Sequence, residues 1–267
     1  MSRTESITFV VPVISKGETL EKNFLSSPCL RDPNNYQVLI QENFSSAAGA
    51  FNDAISRSVN DLIVFIHQDI LLPNVWLSQL DQALDYLDHF DPNWGVLGCW
   101  GATSEDGCKG HIYSSGCALG SAFDDPKPIQ TLDETVLILR KSSGLRFDEN
   151  LPHFHLHGSD ICLQAKKRGL NSYAISAFCI HNNECTLILP KEFYECYWTF
   201  KRKWEASLPI QTPCIRITKL DLPVYIRQLR EAYLRYVRHK TSDGSRARDM
   251  DAFFRRVNAT TQSNVLE

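Results

Sequence analysis

Three short apolar runs lie in the first seventy residues, spaced as strands alternating with helices. Ile7–Ile14, Tyr36–Ile40 and Leu62–Ile66 are rich in Val, Ile and Phe and read as strands buried on both faces. Between the second and third, Ala47, Phe51, Ala54 and Ile55 recur at helical spacing behind Ser45 or Ser46, either of which can cap the helix. A shorter helix is expected around Thr19–Leu25, after a turn at Ser15–Glu18, and Asp32-Pro33-Asn34-Asn35 is turn chemistry. After Pro73, Trp76, Leu77, Leu80, Leu84 and Leu87 mark one face of a strong amphipathic helix. Strand–helix alternation of this kind predicts parallel βαβ units with right-handed crossovers.

The pattern then changes twice. Gly95–Gly101 reads as a glycine-marked strand or bulge, and residues 101–130 read as a long irregular, site-forming loop rich in Gly, Ser and Asp. Thr135–Arg140 and Ser172–Ile180 are further strands. Beyond Pro190 the pattern is helical, near Lys191–Glu205 and Pro223–Lys240. The expected organisation is an α/β domain over 1–189, a helical extension over 190–245 packed on it, and a loosely ordered tail over 246–267.

Composition narrows the class without naming it. A hydrophobic content of 43% and a charged content of 22% are ordinary for a soluble globular chain of 267 residues. No apolar run is long enough to cross a bilayer, and the opening residues lack a secretory apolar core. The nine cysteines form no CxxC pair, so they read as reduced, mostly buried thiols of a cytoplasmic protein. The sequons at Asn43 and Asn258 then carry no glycan message. A net charge of -3 conceals a basic C-terminal segment, with 15 Lys and Arg against 9 Asp and Glu after residue 189. Its helix at Pro223–Lys240 leaves membrane association open. The expectation is packing on its own domain, because Glu231 and Gln228 interrupt the polar face.

Three clusters could carry chemistry. His67-Gln68-Asp69 follows a buried strand at once, at the end where open α/β sheets bind ligands. His67 and Asp69 suit a divalent cation, although Asp69 could equally cap the turn before Pro73. His153, His155 and His157 alternate and would share a face if that piece is extended. Ser159 would cap a helix from Asp160 to Arg168, leaving Asp160 in the first turn to accept a proton or to offset the dipole. His181 follows the last strand as a ligand or a structural histidine.

In this order the motifs resemble the family 2 glycosyltransferases of GT-A fold. The matching text is Val10-Val11-Pro12-Val13, Glu42-Asn43-Phe44-Ser45, a helix bearing Asn52, and Phe65-Ile66-His67-Gln68-Asp69. Phe147-Asp148-Glu149, Asp160-Ile161-Cys162-Leu163, Lys167-Arg168-Gly169 and the strand into His181 continue it over residues 7–184. His67-Gln68-Asp69 and the Phe154-His155 stretch look most like a branch related to streptomycin-cluster proteins.

The resemblance implies a Rossmann-like, mostly parallel sheet with helices on both faces. It also implies an inverting, metal-dependent transfer of sugar from a nucleoside-diphosphate sugar (UDP- or GDP-type) to a hydroxyl acceptor, with no nucleic acid as partner. Pro12 and Val13 would line the base, with Glu42 and Asn43 on base or ribose and Asn52 beneath the nucleotide. His67 holds the first position of the DxD-type triplet, usually Asp, at the nucleotide. Asp69 and His181 would hold Mn or Mg. Asp160 would be the catalytic base with His157 as its substitute, since Gly158 stands where many members carry the first Asp of the acidic cluster. Trp100, Gly101 and Asp133 would contact sugar or acceptor. Two other readings remain: a nucleotide-sugar binder without turnover, and a zinc hydrolase using His155, His157, Asp160 and His181.

Overall fold

The computed structural model describes residues 6–13, 17–30, 36–105, 107–183 and 188–238. The expected turn residues 15–16 and 32–35, the sequon at Asn258 and the tail over 246–267 lie outside them. The chain runs β1 (Ile7–Val13), α1 (Glu18–Lys22), β2 (Tyr36–Glu42), α2 (Ala47–Arg57), β3 (Leu62–Ile66), β4 (Ile70–Leu71) and α3 (Trp76–Phe90). Next come β5 (Val96–Gly98), β6 (Trp100–Ala102), β7 (Cys108–Ser114), β8 (Cys117–Gly120), β9 (Lys127–Pro128), β10 (Thr131–Leu132) and β11 (Val136–Arg140). α4 (His157–Lys167), β12 (Ser172–Ala174), β13 (Cys179–His181), α5 (Lys191–Lys203), β14 (Ile210–Gln211), β15 (Arg216–Ile217) and α6 (Leu222–Arg238) follow.

Seven strands form the main sheet in the order β2-β1-β3-β11-β5-β12-β9. β1 pairs in parallel with β2 and β3, and β5 with β12, while β11 runs antiparallel between β3 and β5. Every residue of β3 is buried, as its unbroken Leu-Ile-Val-Phe-Ile text requires of a strand covered on both faces. One face packs on α1 and α3 through Leu20, Trp76, Leu80 and Leu87. The other packs on α2 and α4 through Phe51, Ala54, Ile161 and Ala165. Helices therefore lie on both faces, as expected. Ser46 is the residue that caps α2, its Oγ accepting from the Gly49 amide at 3.2 Å.

Several expectations need correction. Residues 101–130 are not an irregular loop, because β6, β7 and β8 fold into a second sheet in the order β10-β6-β7-β13-β4, with β8 on β7. Its strands pass so closely that a Cβ on Gly110 would lie 2.1 Å from the Cys99 carbonyl oxygen, a clash only glycine avoids. The run Ser172–Ile180 is two strands: β12 stays in the main sheet and β13 crosses into the second. A continuous apolar run shows burial but not where the chain changes sheets. The extension also contains a small hairpin of β14 and β15 that the helical reading missed. Its helix α5 packs on the body, with Phe193, Tyr197 and Phe200 meeting Leu151, Leu156 and Leu163.

Eight cysteines lie among the described residues, all free, and five of them are buried. No helix among these residues is long and apolar enough to cross a membrane.

Candidate active site

Two strand ends and one hairpin-like return assemble the cleft. β3 ends at Ile66 and delivers His67, Gln68 and Asp69 at the carboxyl edge of the sheet. β4 then pairs antiparallel with β13, placing Ile70 opposite His181, and the Asn182 amide donates to the Asp69 carbonyl at 2.9 Å. This register fixes His181 beside the triplet. The ligand atoms of His67, Asp69 and His181 all lie within 4.8 Å of one another, a group that could hold a metal ion. Two imidazoles and a carboxylate suit a first-row divalent cation.

Further contacts orient the three. His181 Nε2 is 3.4 Å from Asp69 Oδ1, its Nδ1 lies 3.2 Å from Ser114 Oγ, and its ring meets that of His67 edge-on at 5.5 Å. Burial alone would raise the Asp69 carboxyl, but the hydrogen bond and charge of His181, with that of His67, pull it down to about 2. His67 is pushed below the usual imidazole range by burial and by His181, against the opposing pull of Asp69 and Asp133. A neutral imidazole beside an ionised carboxylate is the state in which both coordinate metal.

Around this group opens a cleft of about 490 Å³. Pro12 and Val13 from β1, Asn43 and Phe44 after β2, and Ala47 and Phe51 of α2 form one wall. His67, Gln68, Asp69, Glu134, Phe154 and His155 complete it. Asn43 turns the chain with φ 64°, a left-handed conformation that Asn tolerates well.

Glu134 is the one acid of the lining that the motif reading missed. The antiparallel partner of β3 is β11, and the His67 amide donates to the Thr135 carbonyl at 3.2 Å, so the residues just before β11 reach the cleft. Glu134 Oε1 accepts the Gly158 amide at 3.2 Å. Its carboxyl rises to about 8, from burial first and the neighbouring Asp133 charge second, with the Gly158 and Leu156 amides opposing. The available signal was its place beside Asp133 directly before a strand.

Other expected site residues are engaged elsewhere. Asp160 is buried, with Oδ1 accepting from Trp204 Nε1 at 2.7 Å and lying 2.7 Å from Lys203 Nζ, while Oδ2 accepts from Gln164. It ties α4 to the end of α5 and does not line the cleft. The piece 153–157 is not extended, so its histidines do not share a face. His153 and Leu156 are left-handed, the His153 carbonyl accepts the Ala47 amide at 2.8 Å, and α4 begins at His157, with Leu156 rather than Ser159 at the N-cap position and no side-chain cap. His157 is wholly buried, its Nε2 3.0 Å from the His153 carbonyl, and burial lowers it to about 4. The set His155, His157, Asp160 and His181 therefore does not assemble as a zinc centre, and no second metal-ligand group occurs among the described residues.

Asn52 clamps the loop after β11, exchanging hydrogen bonds with the Phe147 backbone at 2.9 and 3.0 Å and with Glu149 at 2.9 Å. Glu42 lies opposite Val13 at the end of β2, outside the cleft lining. Trp100 packs on the core beneath the second sheet, and Gly101 lets β6 approach β10, where a Cβ would lie 2.8 Å from the Thr131 carbonyl. Asp133 Oδ1 accepts the Thr135 amide at 2.8 Å.

No family model matches the chain. A protein of Fuscovulum blasticum described as "ATP synthase subunits region ORF 6" is 27% identical over 162 residues, spanning 58% of this chain and 64% of that one. The crystal structure of GalNAc-T7 with UDP, GalNAc and Mn²⁺ superposes with a TM-score of 0.50 at 8% identity, over 75% of this chain and 47% of that one. The mannosyltransferase PcManGT from Pyrobaculum calidifontis, in complex with GDP-Man and Mn²⁺, gives 0.47 at 12% identity over 87% and 70% of the two chains. With its mixed sheet, its helices on both faces and its cleft at the carboxyl edge, the chain has the GT-A fold.

Proposed function

We propose that the protein is an inverting, metal-dependent glycosyltransferase that moves a sugar from a nucleoside-diphosphate sugar to a hydroxyl acceptor. The observation that carries this reading is the grouping of His67, Asp69 and His181 beside a cleft that His67 and Asp69 line together with Pro12, Val13, Asn43 and Phe44. A divalent cation, Mn or Mg, held by those three would neutralise charge on the donor diphosphate. The apolar wall and Asn43 would receive the base and ribose. Glu42 stands in register with Val13 of that wall, Asn52 holds the Phe147 backbone to α2, and Asp133 contributes to the field around His67 and Glu134.

The chemical step needs a proton acceptor. As the acceptor hydroxyl oxygen bonds to the anomeric carbon, the bond from that carbon to the diphosphate oxygen breaks, and the hydroxyl proton must leave. Asp160 is tied up by Lys203, Trp204 and Gln164, so we assign proton acceptance to Glu134, which lines the cleft. A carboxylate raised by burial and by Asp133 is a stronger base than a solvated one, which favours this assignment. Trp100 packs on the core and Gly101 lets β6 approach β10, and both are assigned a supporting role. Binding without turnover is the second reading, favoured by glycine at position 158 where a family acid is usual.

Thermal melts against a panel of UDP- and GDP-sugars, with and without Mn²⁺, test the proposal. A metal-dependent upward shift with one donor, followed by release of its nucleoside diphosphate when acceptor is supplied, is the expected result. No shift with any donor would overturn both readings, and a shift without release under any acceptor would leave the binder.

A further inference from the structure

The last described helix turns its apolar side outward. On α6, Leu222, Tyr225, Ile226, Leu229, Tyr233 and Tyr236 recur at helical spacing on one face, and every one is exposed, Leu229 at 72% and Tyr236 at 82%. The opposite side holds the helix to the body: Val224 packs with the α5 cluster, and Glu231 is buried, accepting from the Tyr194 hydroxyl at 2.7 Å and Arg227 Nε at 2.9 Å. An amphipathic helix ordinarily buries its larger apolar stripe. Apart from Tyr225, whose ring meets that of Trp198 at 5.7 Å, no described residue covers this stripe, a contiguous exposed patch of the kind that marks an interaction surface.

Charge selects the occupant. Glu231 is the sole acid of α6 and is internal, so the helix exposes no carboxylate, while Arg230 is exposed at the edge of the stripe and Arg235 donates to the Leu189 carbonyl at 3.2 Å on the side of the body. Asp221, just before the helix, is engaged by Lys201. The expectation that this helix packs on its own domain rested on Glu231 and Gln228 interrupting a solvated polar face, and the burial of Glu231 leaves only the uncharged Gln228 there. Two copies of the chain meeting through this stripe would bring like-charged arginines together, which is unfavourable. An anionic lipid surface instead accepts both features, apolar side chains into the acyl boundary and Arg230 at its edge against phosphates, with tyrosines at headgroup depth.

We propose that α6 docks the protein on an anionic membrane surface, lying in the interface plane with Leu222, Ile226, Leu229 and Tyr233 inserted. Nothing in this depends on the reading of the cleft.

Flotation of the full chain with vesicles tests it, comparing phosphatidylglycerol in phosphatidylcholine with phosphatidylcholine alone. The expected result is flotation with the anionic vesicles, weakened by salt and absent with the neutral ones. The double variant Leu229→Ser, Tyr233→Ser should reduce partitioning by about tenfold or more, and Arg230→Glu should weaken it separately. Both alter exposed side chains, and an unchanged melting temperature will show that each folds. Failure of the folded wild type to float, or flotation untouched by these variants, overturns the proposal. A concentration-dependent dimer that the double variant disrupts, without vesicle binding, would assign the face to a second copy. Crosslinks from position 233 to residues 239–267, without flotation, would assign it to the chain's own tail.

Discussion

The Gly158 amide donates to Glu134 Oε1 at 3.2 Å, and a Cβ on Gly158 would lie only 2.7 Å from the Leu132 carbonyl oxygen and 3.0 Å from that of Asp133. The first turn of α4 thus lies flush against the segment bearing Glu134. The carboxylate that the family resemblance would put on the helix has no room there, and an acid from the facing segment occupies the cleft wall instead.

Replacing Glu134 by Gln should leave donor binding intact and lower turnover by about 10²- to 10⁴-fold, the usual contribution of a positioned base. In wild type, kcat/KM should climb as pH rises through about 8, because the basic form of Glu134 gains population, and this limb should vanish in the variant. Stability should move the other way. A carboxyl raised from 4.5 to about 8 binds its proton more tightly folded than unfolded, so its contribution is fully present below 4.5 and is lost as pH rises through 8. Melts of wild type and Glu134→Gln across that window should diverge, with the variant losing less.

Gly158→Ala should destabilise the fold by about 1–3 kcal/mol, because the methyl meets backbone oxygens that cannot swing away. Denaturant titration measures the loss. The same variant should lower turnover through displacement of Glu134. A stability unchanged from wild type would show that α4 has slack at this position.

Asp69→Ala should abolish the metal-dependent part of the donor-induced melting shift, since it removes the single carboxylate of the cation group. His181→Ala should weaken it by about 100-fold or more in metal affinity, beyond the loss usual for an outer-shell partner, with the remaining two ligands retained. Titration with Mn²⁺ followed by calorimetry distinguishes the two. Equal affinity in Asp69→Ala and wild type would dismiss this group as the metal site.

Asp160→Asn should cost about 1–3 kcal/mol, because Lys203 loses its buried carboxylate partner but keeps Asp148 at 2.7 Å, and the Trp204 indole keeps its acceptor. Donor affinity measured below the melting transition should be unchanged. Loss of turnover with full stability would instead return Asp160 to the role of base.

The elements nearest the site were legible in the sequence for physical reasons. The unbroken apolar text of β3 demands burial on both faces, so its end and the triplet after it had to emerge at a sheet edge. Ser46 had a side chain suited to a cap, and α2 and α3 had apolar positions at helical spacing. The segment 153–157 misled because alternation signals an extended strand only while the backbone stays extended. Two left-handed residues, His153 and Leu156, break the extension there, and the His153 carbonyl is held by the Ala47 amide.

What the sequence by itself determined is the order of the longer strands and helices in the first ninety residues, the two-sided burial of the central strand, and the presence of His67, Asp69 and His181 at strand ends. These follow from local periodicity and from burial, which any window of the chain displays. Only the tertiary structure decided that β13 leaves the main sheet to bring His181 to Asp69, that Glu134 and not Asp160 faces the cleft, and that the apolar stripe of α6 points outward. Each depends on which element lies opposite another, and pairing between residues far apart in the chain leaves no periodic mark on either one.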